Sequence, residues 1–142
     1  MIDYAKILKG RGFKATFQRI NMLECIAKKG HMSNDDIYAE VSKIHPSLSL
    51  ATVYKNIALM VEKGVLIEVS IAGEKSKYEL AKDDHIHLVC TKCGEVEDEL
   101  YNQSADALFA SITRDVNFRL SKHQITLYGI CSRCQEEAFL KL

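Results

Sequence analysis

Two pairs of cysteines carry the strongest chemical signal in the sequence. Cys90-Thr-Lys-Cys93 and Cys131-Ser-Arg-Cys134 are both C-x-x-C pairs, and 37 residues lie between them. Two intervening residues let both thiolates of a pair bind one ion, and two pairs complete the tetrahedral four-sulfur shell that suits zinc. Four thiolates leave no open position, so we predict a closed, structural Zn²⁺ site. The alternative is two redox-active or unrelated pairs, but no thioredoxin-like βαβ pattern accompanies them.

A second group of possible ligands lies just before the first cysteine pair. His85 and His87 alternate along a predicted strand and therefore share one face, from which two imidazoles can converge on one ion. Glu79 and Asp98, on neighbouring segments, add carboxylates. Such nitrogen and oxygen donors suit Fe²⁺, Mn²⁺ or Zn²⁺ and permit reversible binding, as in a sensor. The alternative is that each histidine is an ordinary surface or hydrogen-bonded residue.

Four helices and a hairpin are predicted before these ligands. Apolar spacing and end signals predict helices from Ile2 to Lys9, from the N-cap Thr16 to Gly30, from the N-cap Ser33 until Pro46 forbids continuation, and from the N-cap Ser49 to Gly64. We expect Ile44 and Leu50 on the buried faces of the last two helices. The β-prone runs 65–71 and 77–80 then form a hairpin. This order is typical of a winged helix-turn-helix module, although three-helix clusters also serve as plain interaction domains.

The outward face of the fourth helix is the predicted DNA-binding surface. The side chains there that can reach phosphates or base edges are Thr52, Tyr54, Lys55 and Asn56. The chain has 19 basic and 19 acidic residues, but residues 1–80 carry 12 against 9 and residues 81–142 carry 7 against 10. This asymmetry indicates a basic binding surface joined to an acidic segment, unless it is chance scatter.

The second half is predicted as a smaller domain with helices and a mainly antiparallel sheet. Ser104 is expected to cap a helix that reaches Asp115, the runs 116–120 and 123–130 are β-like, and residues 136–142 are expected to form a short helix. One sheet face of so small a domain needs a partner, which favours a homodimer. The predicted fold class is α+β, with domains at 1–80 and 81–142.

Composition and apolar runs exclude several classes of protein. With 47% apolar and 27% charged residues the chain has the composition of a globular protein. We find no apolar run near the ~18–20 residues that span a bilayer, and no signal-peptide pattern at the N-terminus. We therefore expect a cytoplasmic protein without a membrane segment, in which paired cysteines hold metal.

Four motifs together resemble the ferric uptake regulator family of bacterial metal-dependent repressors. They are Ser-Leu-Ala-Thr-Val-Tyr-Lys-Asn (residues 49–56), His85-x-His87-x-x-Cys90-x-x-Cys93, Leu-Tyr-Gly (residues 127–129) and Cys131-x-x-Cys134. The resemblance covers nearly the whole chain. It implies an N-terminal winged helix, a C-terminal dimerisation domain and a regulator of transcription rather than an enzyme.

The resemblance also implies roles for individual residues. The four paired cysteines fall on the structural zinc ligands, and the regulatory Fe²⁺ or Mn²⁺ site falls on His31, Glu79, His85, His87 and Asp98. On an AT-rich inverted repeat of double-stranded DNA, Lys14 and Arg19 would bear on phosphate or the minor groove, and Tyr54 and Lys55 would approach bases. Because His31 lies in the helical half, a filled site would favour a closed arrangement of the two halves.

Single positions that differ from the residues usual in iron regulators indicate the branch of the family. Asp84, Ile86 and Ala105 stand where iron regulators usually place ligands of an additional metal site, and Asp98 stands where they usually have Glu. These residues resemble the peroxide-responsive repressors, whereas Glu79 resembles the iron regulators. The leading hypothesis is a homodimeric repressor whose bound Fe²⁺ directs peroxide to oxidise His31 or His85. The alternatives are an iron-responsive regulator without peroxide chemistry, a non-haem metal enzyme and a redox-switched zinc chaperone.

Overall fold

The computed structural model describes residues 1–82, 85–100 and 103–140, and the chain divides into two compact units, Met1–Lys82 and Asp83–Leu142. The first unit contains four helices and two strands: α1 (Tyr4–Gly10), α2 (Phe17–Lys29), α3 (Asn34–Val41), α4 (Leu50–Glu62), β1 (Leu66–Val69) and β2 (Lys77–Leu80). This order of elements confirms the predicted winged helix arrangement of the first half.

The three predicted N-caps of the first unit are confirmed. The side chains of Thr16, Ser33 and Ser49 each accept a hydrogen bond from the backbone N–H three residues later, at 3.1 to 3.3 Å. Each bond satisfies one of the N–H groups that a helix start leaves without an intrahelical partner. Gly30 ends α2 with φ +89°, a conformation that glycine adopts without steric cost.

The core of the first unit lies among its four helices and the hairpin. Val53, Ile57 and Met60 of α4 are buried there, as their spacing predicts. Two expectations were wrong: Ile44 is 63% exposed and Leu50 is 38% exposed. Helix α3 ends at Val41, before Pro46, so Ile44 lies in the following turn rather than on the inner helix face. Leu50 is the first residue of α4, beside its cap, where the helix begins to enter the core.

The second unit contains three strands and two helices: β3 (His85–Cys90), β4 (Val96–Leu100), α5 (Gln103–Asp115), β5 (Ile125–Gly129) and α6 (Ser132–Leu140). The strand order is β4-β3-β5, in which β3 pairs antiparallel with β4 and parallel with β5. Strand β4 ends opposite His85, at the starting end of β3, and the segment containing α5 carries the chain from there to the other edge of β3. Strand β5 then starts beside the start of β3 and runs in the same direction. The sheet is thus mixed rather than mainly antiparallel.

Three local expectations for the second unit were wrong. Ser104 lies within the first turn of α5 and does not cap it, because the helix includes Gln103. Residues 116–120 form no strand, since residues 116 and 117 make a turn with Asn117 at φ +54°. The last helix begins at Ser132 rather than at residue 136. Asp84, part of the histidine motif, and residues 141–142 lie outside the described residues. None of the helices in the described ranges has the length and apolar character of a membrane span.

Candidate metal centres

The four paired cysteines meet at one end of the sheet of the second unit. Cys90 ends β3, and its partner in the parallel ladder is Gly129 at the end of β5, two residues before Cys131. The four sulfurs lie within 4.8 Å of one another, and the Sγ atoms of Cys93 and Cys131 are 3.9 Å apart. Sulfurs bound at ~2.3 Å to a tetrahedral zinc ion are ~3.8 Å apart, so this cluster fits Zn²⁺.

Backbone hydrogen bonds favour a thiolate at Cys90. Its Sγ accepts the N–H groups of Cys131 at 3.4 Å and Cys93 at 3.5 Å, and these bonds lower its pKa from 9.0 to about 6. Burial, followed by contacts with the other three thiols, raises the pKa of Cys134 to about 12. Zinc must therefore displace a proton from Cys134, and zinc affinity is expected to rise as the pH rises.

A second set of donors lies on β3 and β4 of the same unit. The antiparallel pairing places Asp98 opposite His87, and His85 and His87 are both buried on one face of β3, as alternation predicts. The Nε2 atoms of the two histidines are 2.9 Å apart. Asp98 Oδ1 lies 3.6 Å from His85 Nε2 and 3.7 Å from His87 Nε2. Donors bound at ~2.1 Å to one cation lie ~3.0–3.4 Å apart, so these three side chains fit a divalent metal.

The first unit holds the remaining predicted ligands, His31 and Glu79. His31 follows α2, Glu79 lies on β2, and His31 Nε2 is 2.7 Å from Glu79 Oε2. Two main-chain hydrogen bonds explain this proximity: Met32 N–H donates to the carbonyl of Tyr78 at 3.0 Å, and Tyr78 N–H donates to the carbonyl of Met32 at 2.7 Å. The segment after α2 is thereby attached to β2, the second strand of the hairpin.

The side chain of Tyr78 strengthens this attachment. Its hydroxyl donates to Glu68 Oε1 at 3.2 Å and accepts from Asn34 Nδ2 at 3.4 Å, so it joins β1, β2 and the start of α3. Sequence patterns missed this role, because a two-residue bridge between distant segments leaves no periodic signal. They also missed Lys82, whose Nζ lies 3.8 Å from Glu79 Oε2; its position just after the strand that carries the predicted ligand Glu79 was the available signal.

The predicted DNA-facing side chains of α4 differ in their surroundings. Tyr54 and Lys55 are exposed, whereas Asn56 is half-buried and bonded within the unit. Arg19 Nε donates to Asn56 Oδ1 at 3.0 Å, and Asn56 Nδ2 donates to the carbonyl of Thr52 at 2.9 Å. Asn56 therefore joins α4 to α2, a structural role that the sequence pattern did not show.

Arg19 itself is held at the start of α2. Its Nη1 donates to the carbonyl of Lys14 at 3.0 Å, and its guanidinium lies 5.2 Å from the ring centroid of Phe13. The hydroxyl of Thr52 contacts that of Ser49 at 2.8 Å, within the cap of α4. Of the six predicted DNA-facing residues, Lys14, Thr52, Tyr54 and Lys55 are exposed, whereas Arg19 and Asn56 are half-buried.

Proteins with similar sequences have names that describe two kinds of regulator. The "Peroxide operon regulator" of Bacillus subtilis is 32% identical over 133 residues, which cover 92% of this chain and 90% of that protein. The "Ferric uptake regulation protein" of Neisseria gonorrhoeae is 34% identical over 131 residues, 90% of each chain. This chain is thus similar to regulators named for peroxide and to regulators named for iron.

A solved structure shares the fold over nearly the whole chain. The crystal structure of the Campylobacter jejuni peroxide stress regulator superposes with a TM-score of 0.74 at 31% identity, covering 94% of this chain and all of that one. This similarity confirms the predicted fold class. The sequence profile of the "Ferric uptake regulator family" matches residues 10–128, and with relatives this similar along most of its length the chain belongs to the ferric uptake regulator family.

Proposed function

We propose that this chain is a homodimeric transcriptional repressor that binds its operator when Fe²⁺ or Mn²⁺ is bound and releases it after reaction with peroxide. The observation that carries the proposal is that each unit holds an incomplete set of metal ligands. His31 and Glu79 come from the first unit, and His85, His87 and Asp98 come from the second. Neither set fills the coordination shell of Fe²⁺ or Mn²⁺, so one cation can take ligands from both.

This division of ligands couples metal binding to conformation. Only an arrangement that offers all five side chains to one ion binds the metal with full affinity, and a ligand shifts a conformational equilibrium toward the state that it binds better. The four cysteines, which leave no open coordination position, hold a separate structural Zn²⁺ ion in the second unit.

The first unit is the proposed DNA-binding domain. Helix α4 presents Tyr54 and Lys55 to base edges and phosphates, and Lys14 contacts the backbone. Arg19, Thr52 and Asn56 complete this surface, with Arg19 and Asn56 also fixing its shape. A two-fold symmetric dimer matches an inverted repeat, for which we propose an AT-rich sequence, and the cytoplasm as the compartment.

The second unit is the proposed dimerisation domain. Its helix α5 exposes Leu108 and Ile112, and the segment that follows exposes Val116 and Phe118. Leu108 and Ile112 are four residues apart and therefore lie on one face of α5, and Val116 and Phe118 follow directly after the helix. Exposed apolar groups of this extent mark association surfaces. Pairing two copies of this face removes it from water.

The proposed peroxide response changes a ligand once and is not enzymatic turnover. Bound Fe²⁺ supplies the redox chemistry that cleaves peroxide. In net terms one oxygen atom of hydrogen peroxide enters a C–H bond of the imidazole of His31 or His85, and the other leaves as water. The ring loses two electrons and the peroxide gains them. An oxidised imidazole is a poorer ligand, so the metal-bound state that binds DNA loses stability.

Mass spectrometry of the Fe²⁺-loaded and Mn²⁺-loaded protein tests this proposal. After limited hydrogen peroxide, we expect the Fe²⁺ form to gain one oxygen atom on the peptide containing His31 or His85 and to lose operator binding. The Mn²⁺ form, which lacks that chemistry, is the matched control and should stay unmodified. Zinc content measured in the same samples should not change, which distinguishes ligand oxidation from a thiol switch.

The same experiment identifies the second candidate function, an iron-responsive regulator. Glu79, which resembles the iron regulators, favours it, as does the similarity to the Neisseria gonorrhoeae protein. If the Fe²⁺ form stays unmodified and keeps its operator in peroxide, while DNA affinity follows the free Fe²⁺ concentration, the peroxide proposal is wrong and the iron function stands.

A further inference from the structure

The carboxylate of Glu79 is the most buried acidic group of the first unit among the described residues. It is 1% exposed, and its Oε2 lies 2.7 Å from His31 Nε2. Removing an ionised carboxylate from water costs several kcal/mol unless nearby positive charge and hydrogen bonds compensate. The metal-free protein must therefore supply that compensation from its own side chains.

Lys82 supplies a permanent positive charge at this carboxylate. Its Nζ lies 3.8 Å from Glu79 Oε2, three residues along the chain. The backbone before it is anchored, because Ala81 N–H donates to the carbonyl of Val65 at 3.1 Å. The lysine side chain is 46% exposed, so it can move into water without disturbing the core.

We propose that Lys82 is an internal competitor of the regulatory metal, an inference that rests on the proposed metal-binding role of Glu79. In the metal-free protein its ammonium compensates the charge of Glu79. A divalent cation that binds Glu79 replaces this contact and meets the repulsion of the ammonium until the lysine turns into solvent. Lys82 thereby raises the metal concentration at which the regulator responds.

The charge of Lys82, rather than its shape, produces this effect. It acts on any divalent cation at the site and weakens as salt screens it, because the lysine is partly exposed. Exposed ion pairs between unit charges contribute little free energy, but a divalent metal carries twice the charge of a lysine. Removing the ammonium is therefore expected to tighten metal binding about three- to tenfold at low salt.

Calorimetric titration of the zinc-loaded full-length protein with Mn²⁺ tests the inference. Lys82→Met keeps the length of the side chain and removes its charge, and Lys82→Arg keeps the charge. The matched control is Lys43→Met, because Lys43 also pairs with a glutamate three residues away, Glu40, at 3.3 Å, and neither residue is a proposed ligand. Glu79→Ala tests the site itself.

We expect Lys82→Met to bind Mn²⁺ more tightly than the wild type, with a difference that shrinks at high salt, and both Lys82→Arg and Lys43→Met to bind like the wild type. If Glu79→Ala weakens Mn²⁺ binding but Lys82→Met does not tighten it, the competitor role is wrong and the proposed site stands. If Glu79→Ala binds Mn²⁺ as the wild type does, Glu79 is not a ligand, and the proposed site and this inference both fail.

Discussion

The pKa of a cysteine thiol depends on its surroundings at three places in this chain. Backbone N–H groups lower the pKa of Cys90 to about 6, whereas burial raises the pKa of Cys134 to about 12. Burial also raises the pKa of Cys25, in α2, to about 11. At neutral pH Cys25 is therefore a protonated, unreactive thiol that packs against the core, as expected of a cysteine outside the metal-binding pairs.

We predict that Cys134→Ser loses its zinc and that Cys25→Ser keeps it. A structural zinc site contributes roughly 10 kcal/mol of apparent free energy in small domains, so losing one ligand should unfold much of the second unit. Zinc content after gel filtration and thermal unfolding followed by circular dichroism check the prediction. Full zinc occupancy in Cys134→Ser would contradict a four-cysteine site.

At the scale of elements, helix α4, the proposed DNA-binding helix, depends on contacts made by its neighbours. Ser49 caps α4, and Asn56 connects it to Arg19 of α2. Lys55 lies on the same helix but projects into solvent. Residues adjacent in sequence therefore differ in role: Asn56 holds the helix in place, whereas Lys55 is a proposed DNA contact.

Alanine substitutions should separate these two tasks. Lys55→Ala should lower DNA affinity and reduce the slope of log affinity against log salt by about 1, because one phosphate contact disappears. Its free energy of unfolding should change by less than ~0.5 kcal/mol, as is usual at exposed positions. Asn56→Ala should instead cost about 1–2 kcal/mol of unfolding free energy, because Arg19 and the Thr52 carbonyl lose a partner.

Fluorescence anisotropy with operator DNA at several salt concentrations and urea unfolding provide these measurements. Stability unchanged in Asn56→Ala, or an unchanged salt slope in Lys55→Ala, would refute the corresponding assignment.

At the scale of the whole molecule, the two units differ in how they cover apolar residues. The first unit encloses a core that includes Met22, Leu23, Ile26 and Ile57. The second unit is smaller and leaves large apolar side chains of α5 and the following segment exposed, Ile112 at 55% among them. A small domain buries a smaller fraction of its surface on folding, which makes association a source of stability.

We predict that Ile112→Glu converts the protein from dimer to monomer at micromolar concentration. A carboxylate on the proposed interface has to be desolvated there without a partner, which costs several kcal/mol. The control is Ile44→Glu, which places the same charge at an isoleucine that is 63% exposed in the first unit. Sedimentation equilibrium measures both variants; a dimeric Ile112→Glu would show that this face is not the interface.

Local sequence signals predicted much of the fold, and they predicted two groups of possible metal ligands whose side chains the structure clusters. The caps Thr16, Ser33 and Ser49 act within four residues, so their effect does not depend on distant packing. The alternation of His85 and His87 is likewise a property of one strand. The expectations for Ile44 and for residues 116–120 failed because the chain turns at both places: α3 ends at Val41, and Asn117 adopts φ +54°. Apolar composition alone does not reveal such turns.

The sequence by itself determined the chemical inventory of this protein: four cysteines in two spaced pairs, two histidines on one strand face, and helices with their own caps. Only the tertiary structure decided that β5 runs parallel to β3, which brings Cys90 and Cys131 to the same end of the sheet. Only it decided that the Met32–Tyr78 bridge holds His31 beside Glu79, and that Lys82 lies near that carboxylate. Residue type and spacing are local properties, whereas these contacts join segments far apart in the chain and form only when burial and main-chain hydrogen bonding are satisfied together.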